Sequence, residues 1–138
     1  AEEQKSLATI KSFEKFGDEA KLKEQIQKEK EAQEHEWAKR ENMFKQVLEI
    51  DDEDALANYG LGSIAVEKQD WNKAIMHLEK VLKSDVNYSV AYLALGKAYK
   101  GLGQKEQAAT KWKDGIVIAA KKGDLMPANQ MQYELQNL

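Results

Sequence analysis

"ANYGLGSIA" at 57–65 and "AYLALGKAY" at 91–99 decide the fold. Both carry Leu-Gly, at Leu61-Gly62 and Leu95-Gly96, and the two pairs stand 34 residues apart. The same shift lays Ala74 on Ala108, Leu78 on Trp112 and Leu82 on Ile116. Applied backwards, it lays Trp37 on Trp71, Lys39 on Lys73, Phe44 on Leu78, Val47 on Val81, Leu48 on Leu82 and Asp51 on Asp85. A fixed period with large matching large and small matching small is the mark of stacked supersecondary units.

Each unit reads as two helices. In the first, Leu56, Tyr59, Leu61, Ile64 and Ala65 share a helical stripe. The polar corner "EKQD" follows, and Ala74, Leu78, Val81 and Leu82 form a second stripe. In the next unit, Val90, Leu93, Leu95, Ala98 and Tyr99 precede the turn "GLGQ", and Ala108, Trp112 and Ile116 follow it. Gly62 and Gly96 are expected where the two helices of a unit cross, with Ala74 and Ala108 opposite them. A mid-helix glycine costs about 1 kcal/mol relative to alanine, so close packing should offset it.

These residues resemble the tetratricopeptide repeat (TPR) family. The resemblance rests on the 34-residue period, the Leu-Gly pairs, Tyr92, Tyr99 and Ala108, and it covers 55–88 and 89–122 in full. Residues 37–54 look like the second helix of an incomplete repeat. The end, "GDLMPANQMQYELQNL", looks like the closing helix of small bacterial members. The chain departs from the family pattern at the repeat boundary, where Asp52 and Val86 replace the usual proline. It departs again at Arg40, which stands where a small alanine is usual. The resemblance implies an all-α fold: a TPR-type α-α superhelix of two full repeats plus a half repeat, with a long N-terminal helix and a C-terminal capping helix. The expected divisions are 1–36, an N-terminal amphipathic helix and charged extension, and 37–138, the repeat domain. Within the latter fall a half repeat at 37–54, repeats at 55–88 and 89–122, and a capping helix at 124–138.

Residues 18–50 contain no Gly or Pro and are rich in Glu, Lys, Gln and Ala, all good helix formers. One long helix is expected there, packed on the repeats through Trp37, Phe44, Val47 and Leu48. Its N-terminal half holds only Leu22 and Ile26 as large apolar residues and should be solvated. Before it, Leu7, Ile10, Phe13 and Phe16 are spaced by threes, which predicts a short amphipathic helix that Gly17 ends. That stripe must be buried on its own chain, in the repeat groove or on a second chain, so these four residues are candidate oligomerisation residues. At the other end Asp124 is placed to cap a last helix. Pro127 lies in its first turn, and Met131, Leu135 and Leu138 form its apolar stripe.

Composition excludes several chemistries. The net charge is −3, from 21 Lys+Arg against 24 Asp+Glu, which argues against nucleic acid. No stretch nears the roughly 18 apolar residues of a membrane span. There is no cysteine, so thiol catalysis is out. Localisation stays open between the cytoplasm and, if a signal peptide was removed, the periplasm. "GLGQKEQ" lacks the strand and the Lys-Ser/Thr of a phosphate loop. "EIDDEDA" at 49–55 fails the EF-hand spacing and reads as a repeat boundary, with Asp54 or Glu53 near a helix N-terminus. His35 and His77 are read as solvent-facing helix positions. No metal-ligand set or cofactor motif is found, and no titratable cluster supports an enzyme.

The first helices of such repeats line the concave surface in the family. Helical spacing then presents Leu56, Tyr59, Ser63, Val66 and Glu67 from one repeat, and Val90, Leu93, Lys97 and Lys100 from the next. The function implied is a non-catalytic interaction module that binds a partner peptide or helix there. The alternative is a homo-oligomer whose N-terminal helix occupies a groove or pairs with another chain. Two full repeats fall short of the roughly three that make such a fold comfortable, which favours extra burial. Some relatives hold a heat-shock chaperone's terminal carboxylate in a Lys/Asn/Arg clamp. Here those positions hold Gly60, Ala94, Val90 or Ala128, so that clamp is not expected.

Overall fold

The computed structural model describes residues 18–138; the amphipathic stripe at 7–16 lies outside the described residues. Six helices and no strand occur among the described residues. They are α1 (Glu19–Ile50), α2 (Ala55–Glu67), α3 (Trp71–Ser84), α4 (Ser89–Gly101), α5 (Lys105–Lys122) and α6 (Leu125–Gln136). The chain divides into two compact units, Ala1–Lys39 and Arg40–Leu138.

In the first unit, the described chain is the N-terminal part of α1. No residue of α1 is fully buried. The helix is supported along its surface by side chains one turn apart: Lys23 pairs with Glu19 at 2.6 Å and Lys28 with Glu24 at 3.2 Å. Such pairs contribute about 0.2–0.5 kcal/mol each. Leu22 and Ile26 are half-buried.

In the second unit, α2 packs against α3, α3 against α4, α4 against α5 and α5 against α6. The starts of α2 and α4 are 34 residues apart, as are those of α3 and α5. This is the α-α superhelical arrangement of tetratricopeptide repeats. The period extends to single hydrogen bonds. Asp51 Oδ1 accepts from Glu53 N at 3.1 Å, and Asp85 Oδ1 accepts from Asn87 N at 3.0 Å. Asn58 Nδ2 donates to the Asp52 carbonyl at 3.1 Å, and the Tyr92 hydroxyl donates to the Val86 carbonyl at 2.8 Å. Two different side chains thus fasten the same point of the inter-repeat turn. Asp54 caps α2 by accepting from Ala57 N at 2.8 Å.

Within each repeat the first helix ends in a Schellman motif. Gln69 N donates to Val66 O and Asp70 N to Ala65 O; one period on, Gly103 N donates to Lys100 O and Gln104 N to Tyr99 O. The motif needs a left-handed residue, which is Gln69 at φ 62° in one repeat and Gly103 at φ 77° in the other.

The glycines lie at the helix crossings, but what faces them is large. A Cβ on Gly62 would stand 2.6 Å from Leu78 Cγ, and one on Gly96 would enter the Trp112 indole. The expected partners Ala74 and Ala108 are fully buried one turn earlier, and Ala74's carbonyl lies 3.5 Å from the Gly62 Cβ position. The glycine makes a socket whose nearest occupant is a bulky side chain, Leu78 in one repeat and Trp112 in the other. Gly60 likewise makes room for Phe44 of α1. Trp112 is fully buried and its Nε1 donates to the Leu93 carbonyl at 3.1 Å.

Three further expectations are corrected. The stripe Leu56–Ala65 splits: Leu61, Ile64 and Ala65 enter the core, Tyr59 is half-buried and Leu56 is exposed. His77 is buried, because α2 covers it and offers Asn58 Oδ1 at 3.0 Å from Nδ1. Asp124 sits at the N-cap of α6 without capping it; its Oδ2 accepts from Ser89 Oγ at 2.6 Å and stands 3.5 Å from Lys122 Nζ. The Ser89 hydroxyl, with Lys122 adding to it, holds the Asp124 carboxyl below the usual carboxylate range. The closing helix otherwise lies as expected: Met131 is fully buried, with Leu135 and Leu138 packed beside it against Tyr92, Ala108 and Trp112.

Candidate partner-binding groove

An open groove of about 190 Å³ runs between α2 and α4. Tyr59, Ser63, Val66 and Glu67 form one wall, and Val90, Leu93, Ala94 and Lys97 form the other. Helical spacing explains each wall: 59, 63 and 66/67 recur by one turn, as do 90, 93/94 and 97. The two walls come from successive first helices, and the 34-residue period lays Tyr59 on Leu93 and Ser63 on Lys97. Their α-helical positions are held from behind by the core clusters around Leu78 and Trp112.

The groove lining is mixed, apolar and charged. Val66, Val90, Leu93 and Ala94 supply apolar surface, and Glu67 and Lys97 supply charge of opposite sign. Tyr59 stacks on Tyr88 with ring centroids 5.2 Å apart and planes tilted by 45°, a favourable aromatic geometry. Burial pushes the Tyr88 hydroxyl above its ordinary pKa, with Tyr59, Asp85 and Asp54 acting in the same direction. Ser63 Oγ is buried with no hydrogen-bond partner, the one such side-chain atom among the described residues.

Seven sequence-selected residues, Tyr59, Ser63, Val66, Glu67, Val90, Leu93 and Lys97, therefore share this groove. Leu56 lies outside its lining and is 64% exposed. Lys100 is turned toward α6, 3.8 Å from Glu134. Ala94 and Tyr88 went unselected. Ala94 was legible as the i+4 neighbour of Val90; Tyr88 was not, because it stands outside the helical stripes, just before α4, and meets Tyr59 only through the tertiary fold. No group of three or more His, Asp or Glu able to hold a metal ion occurs among the described residues. No helix among them is long and apolar enough to cross a membrane.

Paired antiparallel helices at a fixed period, with a groove between successive first helices, define a helical-repeat module. A curated Pseudomonas aeruginosa protein, TPR repeat-containing protein PA0015, is 31% identical over 86 residues, covering 62% of this chain and 82% of its own. The solution structure of protein BPP2914 from Bordetella parapertussis superposes with a TM-score of 0.63 at 28% identity, over 70% of this chain and 84% of that one. No protein-family model matches the chain. The chain belongs to the tetratricopeptide repeat family, whose members serve generally as non-catalytic, protein-interacting scaffolds.

Proposed function

We propose that this protein is a non-catalytic interaction module that binds a peptide or helix of a protein partner in the groove between α2 and α4. The observation that carries this is the groove itself: an open trough of mixed lining, with Tyr59, packed on Tyr88, at one wall and Lys97 at the other. A segment with apolar anchors every turn, or every second residue, fits such a trough. Lys97 and Glu67 would then set direction and register, since margin charges contribute more to specificity and association rate than to affinity.

The test is a random-peptide selection against the full chain, followed by amide chemical-shift mapping of the selected peptides. Shifts should cluster on Tyr59, Ser63, Leu93 and Lys97. Lys97→Glu should weaken binding about tenfold, equivalent to about 1.4 kcal/mol. Shifts confined to α3 and α5 would refute groove binding.

A second reading is self-association through the stripe at 7–16. One observation favours it: Met43, Val47 and Leu56 leave apolar surface exposed where the repeat begins.

A further inference from the structure

Taking an ammonium partly out of water is costly unless an opposite charge faces it. Helices α2 to α6 hold three half-buried lysines, Lys73, Lys97 and Lys111. Lys111 Nζ lies 3.4 Å from Glu79 Oε1. Lys73 lines a hollow that also holds Glu41 and Asp70. Lys97 has no carboxylate at ion-pair distance among the described residues. Its own helix offers none, because the positions three and four away are Leu93, Ala94, Lys100 and Gly101. Lys100, one turn on, carries the same charge and lies 3.8 Å from Glu134 of α6. The opposite wall holds one carboxylate, Glu67, and that residue is already engaged within the chain. Lys97 is thus a half-buried cation that lines the groove with its charge unanswered.

We propose that Lys97 recognises an acidic side chain of the bound segment, an aspartate or glutamate, while an apolar residue of the same segment rests on Leu93. The proposal rests on the groove-binding reading and gives the partner a charge and a spacing. Lys97 stands one helical turn beyond Leu93 on the same wall, about 6 Å along the axis. Two residues of an extended segment cover about 6.6 Å. On a helix, residues three or four apart are neighbours at about 5–6 Å. The acidic residue therefore stands two positions from the apolar anchor in an extended partner and three or four in a helical one. The carboxylate belongs to a side chain and not to a chain end. Terminal carboxylates are captured by converging backbone N–H groups. Around Lys97 both walls are mid-helix, at the level of Ser63 in α2, where backbone N–H groups are bonded within the helix.

The test selects peptides on the full chain from two random libraries, one complete and one without Asp and Glu. Amide chemical shifts locate each binder, and fluorescence polarisation gives its Kd. Groove binders are expected from the complete library, with an acidic residue at the stated spacing. Replacing that residue by its amide in the peptide should raise Kd about tenfold. Lys97→Gln in the protein should do the same, with little further rise when the two changes are combined, because both remove one contact. Lys97→Glu should recover binding to a peptide that carries lysine in place of the acid. Amidating the peptide's own C-terminus should change nothing. Binders that shift Tyr59 and Leu93 yet come equally from the acid-free library, or ignore Lys97→Gln, keep groove binding and overturn the pairing. Affinity lost on C-terminal amidation, and not on loss of the acidic side chain, also overturns it. Binders whose shifts are confined to α3 and α5, or no binder from either library, overturn the pairing and groove binding together.

Discussion

At the scale of the residue, the two repeats solve the same local problems with different side chains, and the differences are measurable. Gln69 and Gly103 occupy the same left-handed corner, where a side chain costs about 1–2 kcal/mol and glycine does not. Gln69→Gly should raise stability by up to about 1 kcal/mol, and Gly103→Ala should lower it by a similar amount, as read by thermal denaturation. Asn58 is fully buried, donates to the Asp52 and Asp54 carbonyls and accepts at Oδ1. Both amide hydrogens are thereby used, so Oδ1 faces His77 and the His77 Nδ1–H donates to it. Asn58→Leu should cost about 1–3 kcal/mol in urea unfolding, because it strands these partners. His77 also makes stability depend on pH. Burial lowers its pKa from the ordinary 6.5, and Lys73, Lys80 and Lys45 add to the effect. The unfolded chain thus takes up a proton first as pH falls. The stability is fully present above 6.5 and is lost as pH falls through 6.5 toward the lower folded value. Urea midpoints at pH 8 and pH 5.5 should therefore differ for the native chain and differ less for His77→Gln.

At the scale of the element, the glycine sockets decide which helices cross and how closely. Gly62 and Gly96 weaken their own helices by about 1 kcal/mol each, yet they admit Leu78 and Trp112 to positions with no exposure. Gly96→Ala gains helix propensity but drives a methyl into the indole. The net result should be a loss of about 1–3 kcal/mol, as in other overpacked cores, seen as a lower melting temperature. Trp112→Ala should cost about 3–5 kcal/mol through the cavity and the stranded Leu93 carbonyl. α1 is governed by other forces. Its first part is held by charge pairs along its own surface. Its last part is held by Phe44 under Gly60 and by Glu41, whose carboxylate lies 2.6 Å from Lys68 Nζ and is kept below its usual pKa by that hydrogen bond.

At the scale of the folded unit Arg40–Leu138, each repeat end has to be closed. α6 closes one end: Met131 fills the space beside Gly115 and Tyr92, and the Ser89 hydroxyl reaches Asp124 at its start. Ending the chain after Gly123 should therefore expose Trp112 and its neighbours, with increased binding of a hydrophobic dye and loss of cooperative melting. At the opposite end the described residues leave Met43, Val47 and Leu56 uncovered.

Spacing along the chain was sufficient for the period, the helix pairs, the long helix from Glu19 and the closing stripe of Met131, Leu135 and Leu138. Helical faces are a one-dimensional code with a 3.6-residue period, and the chain repeats that code every 34 residues. The groove stripe through Tyr59, Ser63 and Val66 was legible for the same reason. Only tertiary structure decided what each face meets. Type and spacing alone left His77 indistinguishable from a surface histidine until α2 lay over it, and Asp124 looked like a cap until Ser89 approached from 35 positions away. Met43 and His77 occupy the same place in the period and end in opposite environments. Burial belongs to the pair of surfaces that come together, and a residue's own identity carries only half of that pair.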